Sequence, residues 1–433
     1  MEVVLVLILG LFHTFVLHLL TGTPEFPKFE ETRWDDGKRC NRDDDSKIHP
    51  FRVSVSQQDI EDIHLRLNIS RPSMPPLQDT QHRYGLNPLL LRDILGIIRT
   101  QYNFTERQEF LNQYPQFTTK IQGLIVHFLH VKPRNPANLP VYPLLLLHGW
   151  PSSVREFYEM IPTLTTEVNR SFLFELVIPS LVALVFWLLM RRLYHETFYV
   201  HGSDWGALVA TDMATLYPDS VLGLHSNFCF SLRYISLVKI ALGSWFPSLF
   251  VKEVEFRDKL YPLSSLARFY LAESGYLHIQ GTKPDTIGMA LDNSLEGLLA
   301  FILEKVSVGS NKHNIHLPGA GLDKFSLTAL LDTILFYYWL PKTATTAARF
   351  YAENLNIKAF KEGLHNIPMN KKVPCGCVFF EYEFLYQPKS ILTDKFVNLV
   401  HYTTYKSVGH FAALERSDIL VEDIASFVSK TIT

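Results

Sequence analysis

Residues 198–214 read FYVHGSDWGALVATDMA, and few stretches leave a chain less freedom. Phe198-Tyr199-Val200 is β-prone, and Ala207 to Ala214 is helix-prone. Only His201 and Gly202-Ser203-Asp204-Trp205-Gly206 lie between them. A strand that enters a helix through so short a turn must fold the helix back against itself. Glycines at 202 and 206 allow that close approach. The layout is that of a nucleophile elbow, G-x-S-x-G, with an aspartate at the central position and the serine one place early. Whatever side chain occupies the tip stands exposed over the sheet. The spacing therefore predicts Asp204 as the attacking group and leaves Ser203 pointing elsewhere.

The flanking sequence predicts a parallel sheet. Val141 to Leu147, VYPLLLL, is a continuous apolar run of the kind a strand buried on both faces requires. It ends in the turn His148-Gly149-Trp150-Pro151. Phe174 to Ile178 reads as another strand, and helical segments separate these elements in a βαβ pattern. Upstream, Ser56 caps a helix carrying Ile60, Ile63, Leu65 and Leu67, and Leu89 to Ile98 is a second amphipathic helix. Thr118 to Val131 alternates as a strand does. Residues from about 229 to 365 are helix-rich and aromatic, and read as an inserted cap. Val373 to Phe380 and Asn398 to Thr403 restore strand character, and Ser417 to Lys430 is a closing helix.

A carboxylate at the tip changes the chemistry available. It needs no base to activate it, attacks an electrophilic carbon directly and leaves an alkyl–enzyme ester. Cleaving that ester takes water, a general base and an oxyanion hole. His410, in Tyr405-Lys-Ser-Val-Gly-His-Phe-Ala-Ala, follows a strand and a glycine and precedes the last helix. That is where the order nucleophile, acid, histidine of an α/β-hydrolase carries its base. For the acid between them, Glu381, Glu383 and Asp394 compete. The oxyanion donors predicted are the backbone N–H groups of Trp205, directly after the nucleophile, and of Trp150 in the turn after the first buried strand.

The ends and the overall charge bound the rest. Residues 3–20, VVLVLILGLFHTFVLHLL, form an apolar run broken by His13, Thr14 and His18. As a helix rising 1.5 Å per residue it nearly spans a hydrocarbon layer of about 30 Å. No Lys or Arg precedes it and no small-x-small cleavage site follows, so it reads as an anchor. Lys28, Arg33, Lys38 and Arg39 come after it, which places the body on the cytosolic side. Sequons at Asn68, Asn103 and Asn169 do not decide the topology. A formal net charge of −2 argues against nucleic acid as a partner. Four cysteines are too few for a disulfide framework. Cys375 and Cys377 read as ordinary core or loop thiols, and no zinc-type spacing is present.

Taken together these segments resemble the microsomal epoxide hydrolase family, over nearly the whole chain. The resemblance runs through Ile48-His-Pro-Phe-Arg-Val, Leu147-His-Gly-Trp-Pro, Gly202-Ser-Asp-Trp-Gly, the long run Glu273-Ser-Gly-Tyr-Leu-His-Ile-Gln-Gly-Thr-Lys-Pro-Asp-Thr, Arg349-Phe-Tyr-Ala-Glu-Asn and Gly409-His-Phe-Ala-Ala-Leu-Glu. Ser153-Val-Arg-Glu-Phe-Tyr looks most like the insect juvenile hormone branch. The resemblance implies Asp204 as nucleophile and His410 as base. It selects Glu383 as the acid, because the family's acid stands five residues before a proline and Pro388 is there. It also implies that Tyr276 and Tyr351 hydrogen-bond the epoxide oxygen and protonate it. Taken singly, both tyrosines read as core aromatics. The pattern is broken after Ile178-Pro179-Ser180, where relatives carry a Pro- and Gly-containing loop and this chain runs straight into Leu-Val-Ala-Leu-Val-Phe-Trp. Residues 181–197 still suffice for a short helical crossover, which needs about 10–12 residues. Ser152 replaces a family glycine and Glu381 a family proline.

The fold expected is α/β, an α/β-hydrolase with a mostly parallel central sheet, a helical cap, an N-terminal helical arm and a membrane-anchor helix. Its divisions fall at 1–22 (anchor), 23–140 (arm), 141–228 (first half of the core), 229–365 (cap) and 366–433 (second half of the core). The function expected is hydrolysis of a lipophilic epoxide to a vicinal diol without metal or organic cofactor, juvenile hormone-like terpenoid epoxides being favoured over xenobiotic ones. The location expected is the endoplasmic reticulum membrane, with a single pass. The rival readings are a haloalkane dehalogenase, which has no use for paired phenols, and a catalytically impaired relative that binds lipophilic ligands.

Overall fold

The structure is a computed structural model. It describes the backbone of residues 34–35 and 38–39, and then residues 45–69, 73–134, 137–166, 171–180, 185–356 and 364–432. The proposed anchor, residues 1–22, lies outside the described residues. Among those described, no single helix is long and apolar enough to cross a membrane.

Among the described residues, nine strands form one sheet. In chain order they are β1 (His49–Phe51), β2 (Gln116–Ile121), β3 (Leu124–Val131), β4 (Val141–Leu147), β5 (Leu173–Pro179), β6 (Phe198–Gly202), β7 (Val221–Ser226), β8 (Cys375–Phe380) and β9 (Leu399–Tyr405). Across the sheet they run β9-β8-β7-β6-β4-β5-β3-β2-β1. Pairing is parallel from β9 to β5, and antiparallel from β5 through β3 and β2 to β1. β4 lies between β5 and β6, which accounts for its unbroken apolar sequence. It pairs with β6 only from Leu144 onward, so Pro143, which has no N–H, stands outside that ladder.

The alternation expected over 118–131 is not one strand. It breaks at Gln122 and Gly123, both at positive φ (52° and 83°), and returns as the hairpin β2–β3. Glycine takes that conformation readily, and the hydrophobic alternation continues on both sides of the turn. Helix α1 (Gln57–Ile69) begins at a reciprocal cap in which Asp59 N–H donates to Ser56 Oγ and Ser56 N–H to Asp59 Oδ2. Together with α2 (Pro88–Thr100) and α3 (Phe104–Leu111), it forms the arm.

Alternate residues of the strands feed two cores, as the two-residue period of a strand demands. Leu144, Leu146, Phe174, Leu176 and Ile178 face the arm, the cap and the last helix. Leu145, Leu147, Val177 and Val200 face α4 (Phe186–Arg192) and α5 (Asp204–Leu216). Helix α4 is the abbreviated crossover. Residues 181–184 just before it lie outside the described residues, yet β6 still takes its place beside β4.

The cap includes α6 (Tyr234–Gly243), α7 (Leu263–Glu273), α8 (Gly275–Thr282), α9 (Pro284–Asn293), α10 (Leu295–Ser310) and α11 (Ala344–Asn354), with a π-helical segment at Thr333–Trp339. Helix α12 (Ser417–Ser429) closes the fold. Cys375 is a buried free thiol. Cys377, in contrast, is bonded to Cys229, 148 residues away, and is not the ordinary thiol its spacing suggested. The parallel pairing of β7 with β8 brings the two together.

Candidate active site

Asp204 stands two residues past the end of β6 and begins α5 with φ +49°, a left-handed conformation rare for a residue with a side chain. The surroundings over-determine it. A Cβ on Gly202 would meet the carbonyl oxygen of Gly206 at 2.3 Å, and one on Gly206 would meet that of Leu147 at 2.3 Å. A Cβ on Gly149 would strike the Asp204 side chain itself. The three glycines thus let the elbow and the turn after β4 close upon each other. Ser203 Oγ turns away and donates to the buried Glu156 Oε1 at 3.2 Å.

The turn after β4 delivers Trp150, whose N–H donates to Asp204 Oδ1 at 2.8 Å. Trp205 is the next residue after Asp204, in the first turn of α5. His410, following β9, approaches from the other side, with Nε2 3.5 Å from Asp204 Oδ2. Its Nδ1 faces both Glu383 oxygens, at 3.0 and 2.9 Å. Glu383 lies in the loop after β8 and also accepts the N–H of Phe384 at 2.9 Å. The competing carboxylates are engaged elsewhere. Glu381 Oε2 accepts the N–H of Ser407, and Asp394 accepts from Lys239 and Ser236.

Burial alone would strip the proton from His410. The carboxylates of Glu383 and Asp204 outweigh it and hold the imidazolium well above the ordinary histidine range. Burial pushes Glu156 up to about 7, against the hydrogen bonds of Ser152 and Ser203.

The cap supplies the roof. Tyr276, on α8, stacks on Trp150 with ring centroids 5.1 Å apart and planes within 9°. Tyr351, on α11, meets Trp150, Trp205 and Tyr276 edge-on. Burial and the nearby Asp204 charge keep both phenols protonated, so they are donors at neutral pH. A largely apolar cleft opens over Asp204, lined by Trp150, Phe269, Tyr276, Leu277, Phe384 and His410 among others.

Of the seven residues singled out in the sequence, Asp204, Trp150, His410 and Tyr276 line this cleft, while Glu383 contacts His410 and Tyr351 and Trp205 pack behind it. Sequence reasoning missed Glu156, the carboxyl behind the elbow. Its signal was present in Ser153-Val-Arg-Glu-Phe-Tyr, where two charged residues sit in a run that is otherwise core. Arg155 and Glu156 are both buried.

Comparison with known proteins matches the family model "Epoxide hydrolase N terminus" to residues 48–157. The chain is 40% identical to the juvenile hormone epoxide hydrolase of Manduca sexta, over 96% of this chain and 92% of that one. It is 38% identical to epoxide hydrolase 1 of Sus scrofa, over 91% of each. Its structure is similar to the crystal structure of juvenile hormone epoxide hydrolase from the silkworm Bombyx mori, with TM-score 0.88 and 37% identity over 93% of this chain and 99% of that one. Aspergillus niger epoxide hydrolase gives TM-score 0.71 at 25% identity, over 89% and 97%.

Proposed function

The chain belongs to the epoxide hydrolase family, and from that premise we propose how its residues divide the work and which epoxide they receive. The observation that carries the assignment is the grouping of Asp204 with two phenols of the cap, the half-buried Tyr276 and the buried Tyr351, and a Glu383-held imidazole beside it. Asp204 Oδ2 attacks an epoxide carbon from the face opposite the C–O bond. As that bond breaks, Tyr276 and Tyr351 donate to the leaving oxygen and one of them gives it a proton. The product is an alkyl ester of Asp204 whose carbonyl oxygen, Oδ1, already lies on Trp150 N–H.

Forming the ester removes the Asp204 charge, one of the two that hold the proton on His410. The imidazolium gives up that proton, which restores the phenol that protonated the epoxide oxygen; the neutral imidazole then accepts a proton from water, and the hydroxide adds to the ester carbon. The N–H groups of Trp150 and Trp205 carry the oxyanion. Collapse expels the diol oxygen, which takes the proton of the imidazolium, and the carboxyl left on Asp204, now carrying the oxygen of water, returns a proton to the imidazole and restores the resting pair.

Substrate class follows from the wall. The cleft is mostly apolar and aromatic, and the relatives named for juvenile hormone align along nearly the whole chain. A terpenoid epoxide is therefore the favoured substrate, with xenobiotic epoxides second. We also place the protein on the endoplasmic reticulum membrane through residues 3–20, with the body in the cytosol, on the strength of Lys28, Arg33, Lys38 and Arg39. The Cys229–Cys377 bond pulls the other way, since such bonds persist in oxidising compartments. Asn103 is exposed, and its glycosylation in cells would place the body in the lumen.

The test of the chemistry is a single turnover in heavy-oxygen water with a terpenoid epoxide and, separately, cis-stilbene oxide. The expected result is label in the Asp204 peptide and none in the first diol. Label in the first diol would mean direct hydration, and neither diol nor label would mean a ligand-binding relative.

A further inference from the structure

Among the described residues, two clusters of histidine and carboxylate that could hold a metal ion lie outside the active site, and they differ in what flanks them. In the first, Asp423 accepts from His225 Nε2 (2.9 Å), Thr403 Oγ1 (2.7 Å) and Tyr405 OH (3.2 Å), and lies 3.1 Å from His401 Nε2. The other nitrogen of His401 is 2.8 Å from the Lys430 ammonium. His401 Nε2, like His195 Nε2 of the second cluster, has no hydrogen-bond partner, but a metal on it would leave its Nδ1–H pointing at that cation, so the Lys430 charge closes this cluster to an ion.

The second is open. His130 at the end of β3, Glu175 in the first half of β5 and His195 in the loop between α4 and β6 converge at the end of the sheet opposite to the elbow. His130 Nε2 is 2.6 Å from Glu175 Oε1, and His195 Nε2 is 3.5 Å from the same oxygen. The buried His195 Nε2 has no hydrogen-bond partner. The three side chains remain 12–16% exposed, which leaves an approach for a fourth ligand. The neighbouring cation is Lys132, whose ammonium is 3.8 Å from Glu175 Oε1. It is 73% exposed and can swing into water.

We propose that His130, Glu175 and His195 form a zinc-type site, with water as the fourth ligand. Two imidazoles and one carboxylate are a common ligand set for Zn²⁺. A tetrahedral ion with bonds of about 2.0–2.2 Å holds its ligand atoms roughly 3.4 Å apart. The present separations bracket that value, and the three donor atoms lie within 4.8 Å of one another. No sequence motif announces the site, because its ligands come from three elements that only the sheet brings together. Its place suggests its use. His195 ends the abbreviated crossover, and a metal there would clamp that loop to β3 and β5.

The test uses the full chain with any purification tag removed and metal stripped by chelator. Titration calorimetry with Zn²⁺, and absorption with Co²⁺, should show one equivalent bound with tetrahedral Co²⁺ bands, and Zn²⁺ should raise Tm. His195→Ala, His195→Gln and Glu175→Gln should each weaken binding at least about tenfold and abolish the Tm rise. Metal-free His195→Ala should turn over epoxide at the wild-type rate, and one equivalent of zinc should not inhibit the wild type. Failure of the wild type to bind Zn²⁺ at 100 µM, or equal affinity in the His195 variants, would overturn the proposal. So would inhibition at one equivalent, which would put the ion on His410.

Discussion

Asp204 and Asp332 are both withdrawn from bulk water inside the same molecule, and they are furnished in opposite ways. Asp332, in the cap, is fully buried. Its Oδ1 accepts from Tyr102 OH (2.8 Å) and Arg107 Nε (2.9 Å), and its Oδ2 from Arg107 Nη2 (2.7 Å) and Arg155 Nε (3.0 Å). Every strong acceptor direction is used and two guanidinium charges oppose one carboxylate. Three regions meet there: the arm through Arg107, the turn after β4 through Arg155, and the cap. Asp204 has a single N–H on Oδ1, an imidazole 3.5 Å from Oδ2, and an apolar cleft in front. A saturated carboxylate holds parts together, and an undersupplied one is free to react. The donors make most of the difference, and Asp204 also keeps 16% of its side chain exposed where Asp332 has none.

The sharpest way to break the comparison is to neutralise each carboxylate in turn. Asp204→Asn should cut kcat by on the order of 10⁴–10⁶-fold, the scale of removing a nucleophile. Its Tm should stay near wild type, because asparagine tolerates the left-handed conformation that φ +49° demands. Asp332→Asn should do the reverse. It strands two buried guanidinium groups and should cost about 3–5 kcal/mol of stability, read by denaturant unfolding, while the folded fraction turns over normally. If Asp332→Asn lost activity and kept its stability, the division would be wrong.

The phenols come next in size. Tyr276→Phe and Tyr351→Phe should each lower kcat/KM for an epoxide by roughly 10²-fold, and the double variant by more, within the range of general acid catalysis. A preformed alkyl ester of Asp204 should still be hydrolysed at the normal rate in both variants. Slow hydrolysis of that ester would mean that the tyrosines shape the cleft and do not protonate the oxygen.

The same contrast explains how far the sequence could be read. The elbow was legible because strand, glycines and helix are contiguous, and a backbone that tight has one solution. The parallel sheet was legible from the apolar run of β4, since only a strand covered on both faces tolerates it. The choice of Glu383 over Glu381 and Asp394 came from the resemblance alone, because it depends on which carboxylate the path of the loop leaves free for His410. Spacing alone cannot show that Ser407, Ser236 and Lys239 occupy the others. The Asp332 cluster was invisible for a similar reason. Its ligands lie at 102, 107 and 155, and a buried arginine looks like a surface arginine in a string of letters. The Cys229–Cys377 bond needed the β7–β8 register. The hairpin at Gln122–Gly123 carried a turn signal, masked by alternation that runs on through it.

The smallest expected effect is a titration. His410 keeps its proton because two carboxylates flank it, and Asp204 is the one that the reaction consumes. In Asp204→Asn the imidazole loses one of them, so its pKa should fall, as read by nitrogen NMR of labelled histidine. In the wild type the same loss occurs when the ester forms. The base must be neutral to activate water, so ester hydrolysis slows as pH drops through the His410 pKa of the ester, not that of the free enzyme. With hydrolysis rate-limiting, the acid limb of kcat should therefore lie below the pH at which His410 titrates in the resting protein. It should match the value found in Asp204→Asn more nearly. Coincidence of the acid limb with the resting titration would show that Asp204 does not hold the proton on His410. The open carboxylate would then have no hand in switching its own base on.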